Sequence, residues 1–214
     1  EALGGGTLAG LINNAGIAVA GPLLHLPVAE FRHQLDVNLT GVLIVTQAFA
    51  PLLGADSARE GPPGRILNMS SVGGKIAFPF MGPYNASKFG LEGLSESLRR
   101  ELLPFGIDVI VVAPAAVRTP IWDKAEAIEI EPYRGTVYER PLERILDFML
   151  ASGRAGLPAE RLGEAVHRIL TARRPRVRYV FAPNMLEAWI APRLPKRFVD
   201  LDFVVDYGFL AIIA

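Results

Sequence analysis

One stretch limits what this chain can become. From Arg65 to Arg100 it begins with the pattern of a β-strand and ends with that of an α-helix. Ile66 and Leu67 lie in a short apolar run, with Gly-Pro-Pro-Gly before it and Ser-Ser-Val-Gly-Gly after it, the turn signals that delimit a strand. Pro83 suits a helix start, where its missing N–H costs nothing. Phe89, Leu91, Leu94, Leu98, Leu102 and Leu103 then recur at helical spacing. The stretch carries Ser71, Tyr84 and Lys88. Residues four apart on a helix share a face, so Tyr84 and Lys88 point the same way near the helix N-terminus. A free tyrosine titrates near a pKa of about 10, too high for a base near neutrality. A neighbouring ammonium and the positive end of the helix dipole both favour the phenolate. A serine hydroxyl at the adjacent strand end could hold a carbonyl or alcohol oxygen beside the phenol. This spacing predicts an acid/base site for interconverting carbonyls and alcohols. Taken singly, each of these residue types is common on surfaces; the spacing and the strand-to-helix setting together give the prediction its weight.

Four motifs follow one another along the chain: Asn13-Asn14-Ala15-Gly16, Asn38-Leu39-Thr40-Gly41, Ser70-Ser71-Val72-Gly73-Gly74 and Tyr84-Asn85-Ala86-Ser87-Lys88. In order and spacing this set resembles the short-chain dehydrogenases/reductases, over at least residues 9–120. Pro114-Ala115-Ala116-Val117-Arg118-Thr119 is similar to that family's later Pro-Gly-x-x-x-Thr element, with Ala115 replacing the glycine. The run from Val72 to Leu102 resembles the branch that contains hydroxysteroid and retinol dehydrogenases. The resemblance implies an α/β, Rossmann-like, doubly wound parallel sheet in a single domain over 1–214, with helices at 120–160 covering the substrate and a C-terminal tail at 185–214. It implies an NAD or NADP cofactor and a secondary alcohol or ketone substrate. It also implies roles: Tyr84 as general acid/base, Ser71 orienting the substrate oxygen, Lys88 lowering the Tyr84 pKa and holding the ribose, and Asn38 supporting a proton relay. Asn14, Ala15, Gly16, Tyr84, Lys88, Pro114, Val117 and Thr119 are the cofactor contacts it implies. The family's habit of pairing its long helices implies a homo-oligomer.

Composition narrows the alternatives. Half of the 214 residues are hydrophobic and mean hydropathy is +0.30, so the chain can build a substantial core. The formal net charge is +0, which argues against a general affinity for nucleic acid. Charge is uneven, however: residues 154–200 carry a net of +6 and the remainder a net of −6. With no cysteine there is no thiolate chemistry and no disulfide framework. His25, His33 and His167 lack metal-site spacing, and no metal is expected. No run of 18 uncharged apolar residues and no leader pattern occurs, which reads as cytoplasmic. Sequons at Asn38, Asn68 and Asn85 all fall within the motifs, where a glycan would not fit.

Along the rest of the chain, the Gly-rich first nine residues read as a helix end and a turn, and Leu11-Ile12 as a short buried strand. Pro27 to Leu53 reads as a helix, broken early, with Phe31, Leu35, Leu39, Val42 and Leu43 on its apolar face and Asn38 on the same face. Gly54–Gly64 reads as a polar loop, Gly106–Ala113 as a buried strand, Pro158–Thr171 as an amphipathic helix and Arg176–Ala182 as a final strand whose arginines are solvated. Trp122, Tyr133, Tyr138, Phe148 and Met149 would suit the lining of an apolar substrate site.

A dinucleotide-binding fold needs a Gly-rich turn between a strand and a helix. Gly4-Gly5-Gly6 does not fit that pattern, so the sheet is expected to lack its first strands. A rival reading is therefore a non-catalytic, truncated relative that acts by association. Another is contact of the basic C-terminal third with a membrane surface. No Gly-x-Ser-x-Gly and no P-loop motif occurs, which sets aside hydrolase and nucleotide-hydrolysing folds.

Overall fold

Parallel strands covered on both faces read as continuous apolar runs, and Val109 to Ala113, every residue of it buried, is such a run. The computed structural model describes residues 4–126 and 130–200. In chain order its strands are β1 (Gly10–Asn13), β2 (Arg65–Met69), β3 (Asp108–Pro114), β4 (Val117–Arg118), β5 (Leu157–Pro158) and β6 (Arg178–Phe181). Its helices are α1 (Val28–Leu35), α2 (Gly41–Phe49), α3 (Gly82–Glu101), α4 (Ile121–Glu126), α5 (Glu139–Arg154), α6 (Ala159–Thr171) and α7 (Met185–Ile190). β1, β2, β3 and β6 form one parallel sheet in that order, and β4 pairs with β5 in a separate small parallel ladder. Among the described residues β1 is hydrogen-bonded to β2 alone, so it forms an edge.

The strand alternation sends side chains to two cores. Ile66 and Val109 pack with Leu53, Leu98, Leu102 and Ile107 on the face covered by α3 and the end of the α2 region. Leu67, Ile110 and Val112 pack with Val166 and Ile169 of α6 on the opposite face. Helices therefore lie on both sides, as the expected doubly wound sheet requires. A third cluster joins Phe80 to Leu142, Ile145 and Leu146 of α5. The last fourteen residues of the expected tail, and residues 127–129 of the expected covering helices, lie outside the described residues.

Four local expectations change. The first residues form a turn and a bridge from Gly6 to Glu60, with no helix among residues 4–9. The helix from Val28 is not broken early: a π turn at Asp36–Thr40 joins α1 to α2, and a 3-10 turn at Ala50–Leu53 ends it. Its deepest row is Gln34, Asn38, Val42 and Thr46, while Phe31, Leu35, Leu39 and Leu43 are half-buried. Polar residues reach that depth because backbone and side-chain partners meet them there. This helix is apolar and long enough to cross a membrane by composition, with a mean hydropathy of 1.4 over its best 18 residues. Here it packs against α3, yet leaves Ile44, Val45 and Phe49 exposed. Finally, Arg178 is no solvated edge residue: its Nε donates to both oxygens of buried Glu92, at 3.0 and 3.2 Å.

The two-faced core makes a stability prediction. Leu67, fully buried, should cost about 2–5 kcal/mol when changed to Ala, through lost burial and the cavity left behind. Leu103, well exposed, should cost less than about 0.5 kcal/mol. Urea denaturation of the two variants checks both.

Candidate active site

The candidate residues collect at the carboxyl ends of β1, β2 and β3, the end of a parallel α/β sheet where ligands bind. Ser71 leaves β2 in an extended conformation, with φ −159° and ψ 165°, and caps the turn Val72–Gly74 by accepting the Gly73 N–H at 3.0 Å. Gly73 eases this approach: a Cβ there would lie 3.3 Å from the Tyr84 ring and 3.4 Å from Ser71 Oγ, a tight fit. Tyr84 and Lys88 lie in the first two turns of α3, whose second residue is Pro83. Ser71 Oγ and the Tyr84 ring meet around Gly73, and Lys88 Nζ stands 5.6 Å from the centre of the Tyr84 ring. Serine, tyrosine and lysine thus come together as the spacing predicted.

The electrostatics differ from the simple expectation. Burial pushes the Tyr84 phenol above its ordinary value, and the hydrogen bond to Ser71 pulls it back by less. Burial lowers Lys88 from 10.5 to about 8. The ammonium lies over the tyrosine ring and donates to the Met69 carbonyl at 2.8 Å, so a lowering of the Tyr84 pKa by Lys88 is not what governs the phenol here.

Asn38 sits inside the π turn, almost fully buried. Its Oδ1 accepts the Ile17 N–H at 2.9 Å, and its Nδ2 donates to the Ile17 carbonyl at 3.0 Å and to Ser87 Oγ at 3.2 Å. A Cβ on Gly16 would lie 3.3 Å from Asn38 Oδ1, a tight contact, and 3.9 Å from Lys88 Nζ, so this loop lies against both residues. Asn14, Ala15 and Gly16 are exposed in the loop after β1. Pro114 closes β3, Val117 lies in β4, and Thr119 is exposed just beyond it. The Val117 carbonyl accepts Trp122 Nε1 at 2.7 Å. Ala115 is not in the left-handed region, where Phe80 alone stands among the described non-glycine residues, so alanine there carries no backbone strain. The three sequon asparagines are all buried, and His25, His33 and His167 are exposed.

Two residues escaped the sequence reading. Gln34, with no exposed surface, accepts the Val19 N–H at 2.7 Å and donates to the Ile17 carbonyl at 2.8 Å. It lies one helical turn before Asn38, and together the two amides fix the backbone after Gly16. Glu92 lies one turn beyond Lys88, accepts from Ser70 Oγ at 2.9 Å and from Arg178, and forms an ion pair with Lys75 at 3.5 Å. Their positions four residues from Asn38 and Lys88 were the available signal, and both are polar residues on a face that faces inward. Asn13, Asn68 and Ser95 form a further buried chain, with Asn13 Nδ2 donating to Asn68 Oδ1 at 2.8 Å and Asn68 Nδ2 to Ser95 Oγ at 2.9 Å.

The lowered Lys88 pKa fixes a sign. Between about pH 8 and 10.5 the unfolded chain keeps the Lys88 proton while the folded chain has released it. Stability from this group therefore rises with pH across that window, and its cost is fully present below it. The native chain should gain stability relative to Lys88→Met between about pH 7.5 and 10. Parallel urea titrations at the two pH values check this; a constant difference would contradict it.

A profile of the short chain dehydrogenase family matches residues 2–129. The NADPH-dependent 3-dehydrocapnine reductase of Ornithobacterium rhinotracheale is 34% identical over 197 residues, covering 92% of this chain and 69% of that protein. Retinol dehydrogenase 5 of Mus musculus is 36% identical over 212 residues, covering 90% of this chain and 63% of that protein. A solved short chain dehydrogenase/reductase from Burkholderia phymatum, in complex with NAD, is 28% identical with a TM-score of 0.67, over 92% of this chain and 68% of that one. The chain thus spans about two thirds of the length of these relatives. With a serine, a tyrosine and a lysine gathered at the end of a parallel sheet and this match over more than half its length, the chain belongs to the short-chain dehydrogenase family.

Proposed function

We propose that this chain carries the catalytic residues of an NAD(P)-dependent oxidoreductase that interconverts a secondary alcohol and a ketone on an apolar substrate. The observation that carries the reading is the meeting of Ser71 and Tyr84 on either side of Gly73, with Lys88 Nζ 5.6 Å from the centre of the same ring. Relatives support it: one is named an NADPH-dependent reductase and another a retinol dehydrogenase.

The residues present fit the nicotinamide and ribose end of such a cofactor. The exposed Asn14–Gly16 backbone, Lys88, Val117 and Thr119 would hold it, and Gly16 leaves the space that a Cβ would fill against Asn38 and Lys88. Bound there, the cofactor supplies or accepts the hydride. Tyr84 gives its proton to the carbonyl oxygen in reduction and takes the hydroxyl proton in oxidation. Burial raises its pKa, so at neutral pH the resting side chain is the neutral phenol. Ser71 Oγ holds the reacting oxygen beside the phenol. Lys88 keeps a positive charge close to the phenolate left after proton transfer. Asn38, tied to both Ile17 and Ser87, holds the loop that borders Lys88.

Residues 121–126 and 130–154, with Trp122 folded against Gly153 and Tyr133 and Tyr138 packed on α5, would form the apolar cover over the substrate. Exposed Ile44, Val45 and Phe49 on α2 and Phe89 on α3 support pairing of these helices in a homo-oligomer.

Two measurements test the reading. Titration with NADH and NADPH, followed by nicotinamide fluorescence, should show saturable binding to the whole protein. Tyr84→Phe should lower turnover by at least about 100-fold with the thermal transition unchanged. Near-normal turnover in that variant would remove Tyr84 from its role.

A further inference from the structure

Phe80 is the one described residue other than glycine with a left-handed backbone, at φ 61°. For a bulky side chain this conformation is a genuine outlier, held only where surrounding structure over-determines it. Glycine would adopt it without strain, so the ring must contribute something that glycine cannot.

The ring is buried, 8% exposed, among Leu142, Ile145 and Leu146 of α5, with Ile130, Tyr133, Tyr138 and Met149 packed around that cluster. It meets Tyr138 edge to face, with centroids 6.0 Å apart at 83°. Tyr138 in turn meets His25 at 5.7 Å and 73°, and His25 meets Tyr133 at 6.3 Å and 61°. Edge-to-face pairs of this kind add attraction beyond the area they bury.

The backbone joins the same three segments. Gly21 N–H donates to the Phe80 carbonyl at 2.8 Å. Leu23 lies so close to Gly82 that a Cβ there would meet it at 2.6 Å, and a Cβ on Gly21 would meet the Tyr133 hydroxyl at 2.8 Å. Asn85 Nδ2 holds the Phe78 carbonyl at 2.8 Å, and Asn85 N–H the Met81 carbonyl at 2.8 Å. Phe80 therefore lies inside the segment that runs from Ser71 to Tyr84, and its ring lies inside the segment that follows residue 130.

We infer that Phe80 is a specificity-determining residue, an aromatic latch that fixes the 130–149 segment on the Ser71–Tyr84 segment and so limits the size of alcohol that reaches Tyr84. With a left-handed backbone, Phe80 packs its ring into α5. Tyr138 closes the latch, and His25 carries it to the loop after β1. The consequence for substrate choice rests on the proposed acid/base reading; the latch itself does not.

The test uses the whole protein as the native chain, Phe80→Gly and Tyr138→Ala. Hydrogen exchange is followed by mass spectrometry. Phe80→Gly relieves the backbone strain, so it removes the ring without adding strain at that position. Both variants should speed exchange in peptides from 130–149 by about tenfold or more, while β2 and β3 peptides keep their native protection. With cyclohexanol and decahydro-2-naphthol as probes and NAD present, kcat/KM for the larger alcohol relative to the smaller should rise about tenfold in both variants. Unchanged exchange in 130–149 overturns the latch, and faster exchange with an unchanged ratio overturns its role in specificity. A native protein inactive on both alcohols and on their ketones would instead count against the proposed function, leaving the exchange result to decide the latch.

Discussion

Lys88 brings a positive charge into the interior where α3 crosses the end of β2, and much of the site is arranged around that charge. Burial holds its pKa at about 8, far below an ordinary lysine. Its hydrogen bond to the Met69 carbonyl ties α3 to the last residue of β2, directly before the Ser70-Ser71 turn. The same side chain borders Gly16 in the loop after β1. A lysine that was solvated would serve none of these contacts. A buried one costs stability unless hydrogen-bonded, and the site accepts that cost at one position.

Buried polar groups recur around this charge, and most are partnered, Asn85 Oδ1 being an exception. Gln34 and Asn38 hold the backbone of Ile17 and Val19 as a strand would, although no strand is there. Glu92, one turn beyond Lys88, gathers Ser70, Lys75 and Arg178, joining the turn after β2 to the last strand of the sheet. Asn13, Asn68 and Ser95 run between β1, β2 and α3. Satisfied networks of this kind rigidify a site, whereas any partner removed leaves an unpaired group at high cost. The apolar clusters on the two faces of the sheet supply the burial that such polar networks do not.

The strained turn at Phe80 belongs to the same economy of positions. It lies between two residues that must be fixed, Ser71 and Tyr84, and its ring is fixed from a third direction by α5. Local strain persists there because a buried aromatic ring offsets it.

Much of this was legible in the chain itself. Short apolar runs and helical periodicity placed β2, β3, α3 and α6 to within a few residues, because strand and helix periods are properties of local sequence. Tyr84 and Lys88 were paired by a spacing of four, which any α-helix turns into a shared face. What local pattern could not decide was which face looks inward and what meets it. The helix from Val28 reads as apolar along Phe31 and Leu35 with Asn38 on the same face, yet a π turn and the backbone of Ile17 and Val19 bring Gln34 as well to the deepest row and leave Phe31 and Leu35 half-buried. Arg178 and Glu92 are 86 residues apart, and only the parallel pairing of β3 with β6 brings the guanidinium to the carboxylate. The sequence by itself determined the secondary structure and the chemical groups of the site, since these depend on neighbours along the chain. Tertiary structure alone decided how Lys88 and Tyr84 titrate and what Phe80 touches, because burial and contact are set by segments distant in sequence.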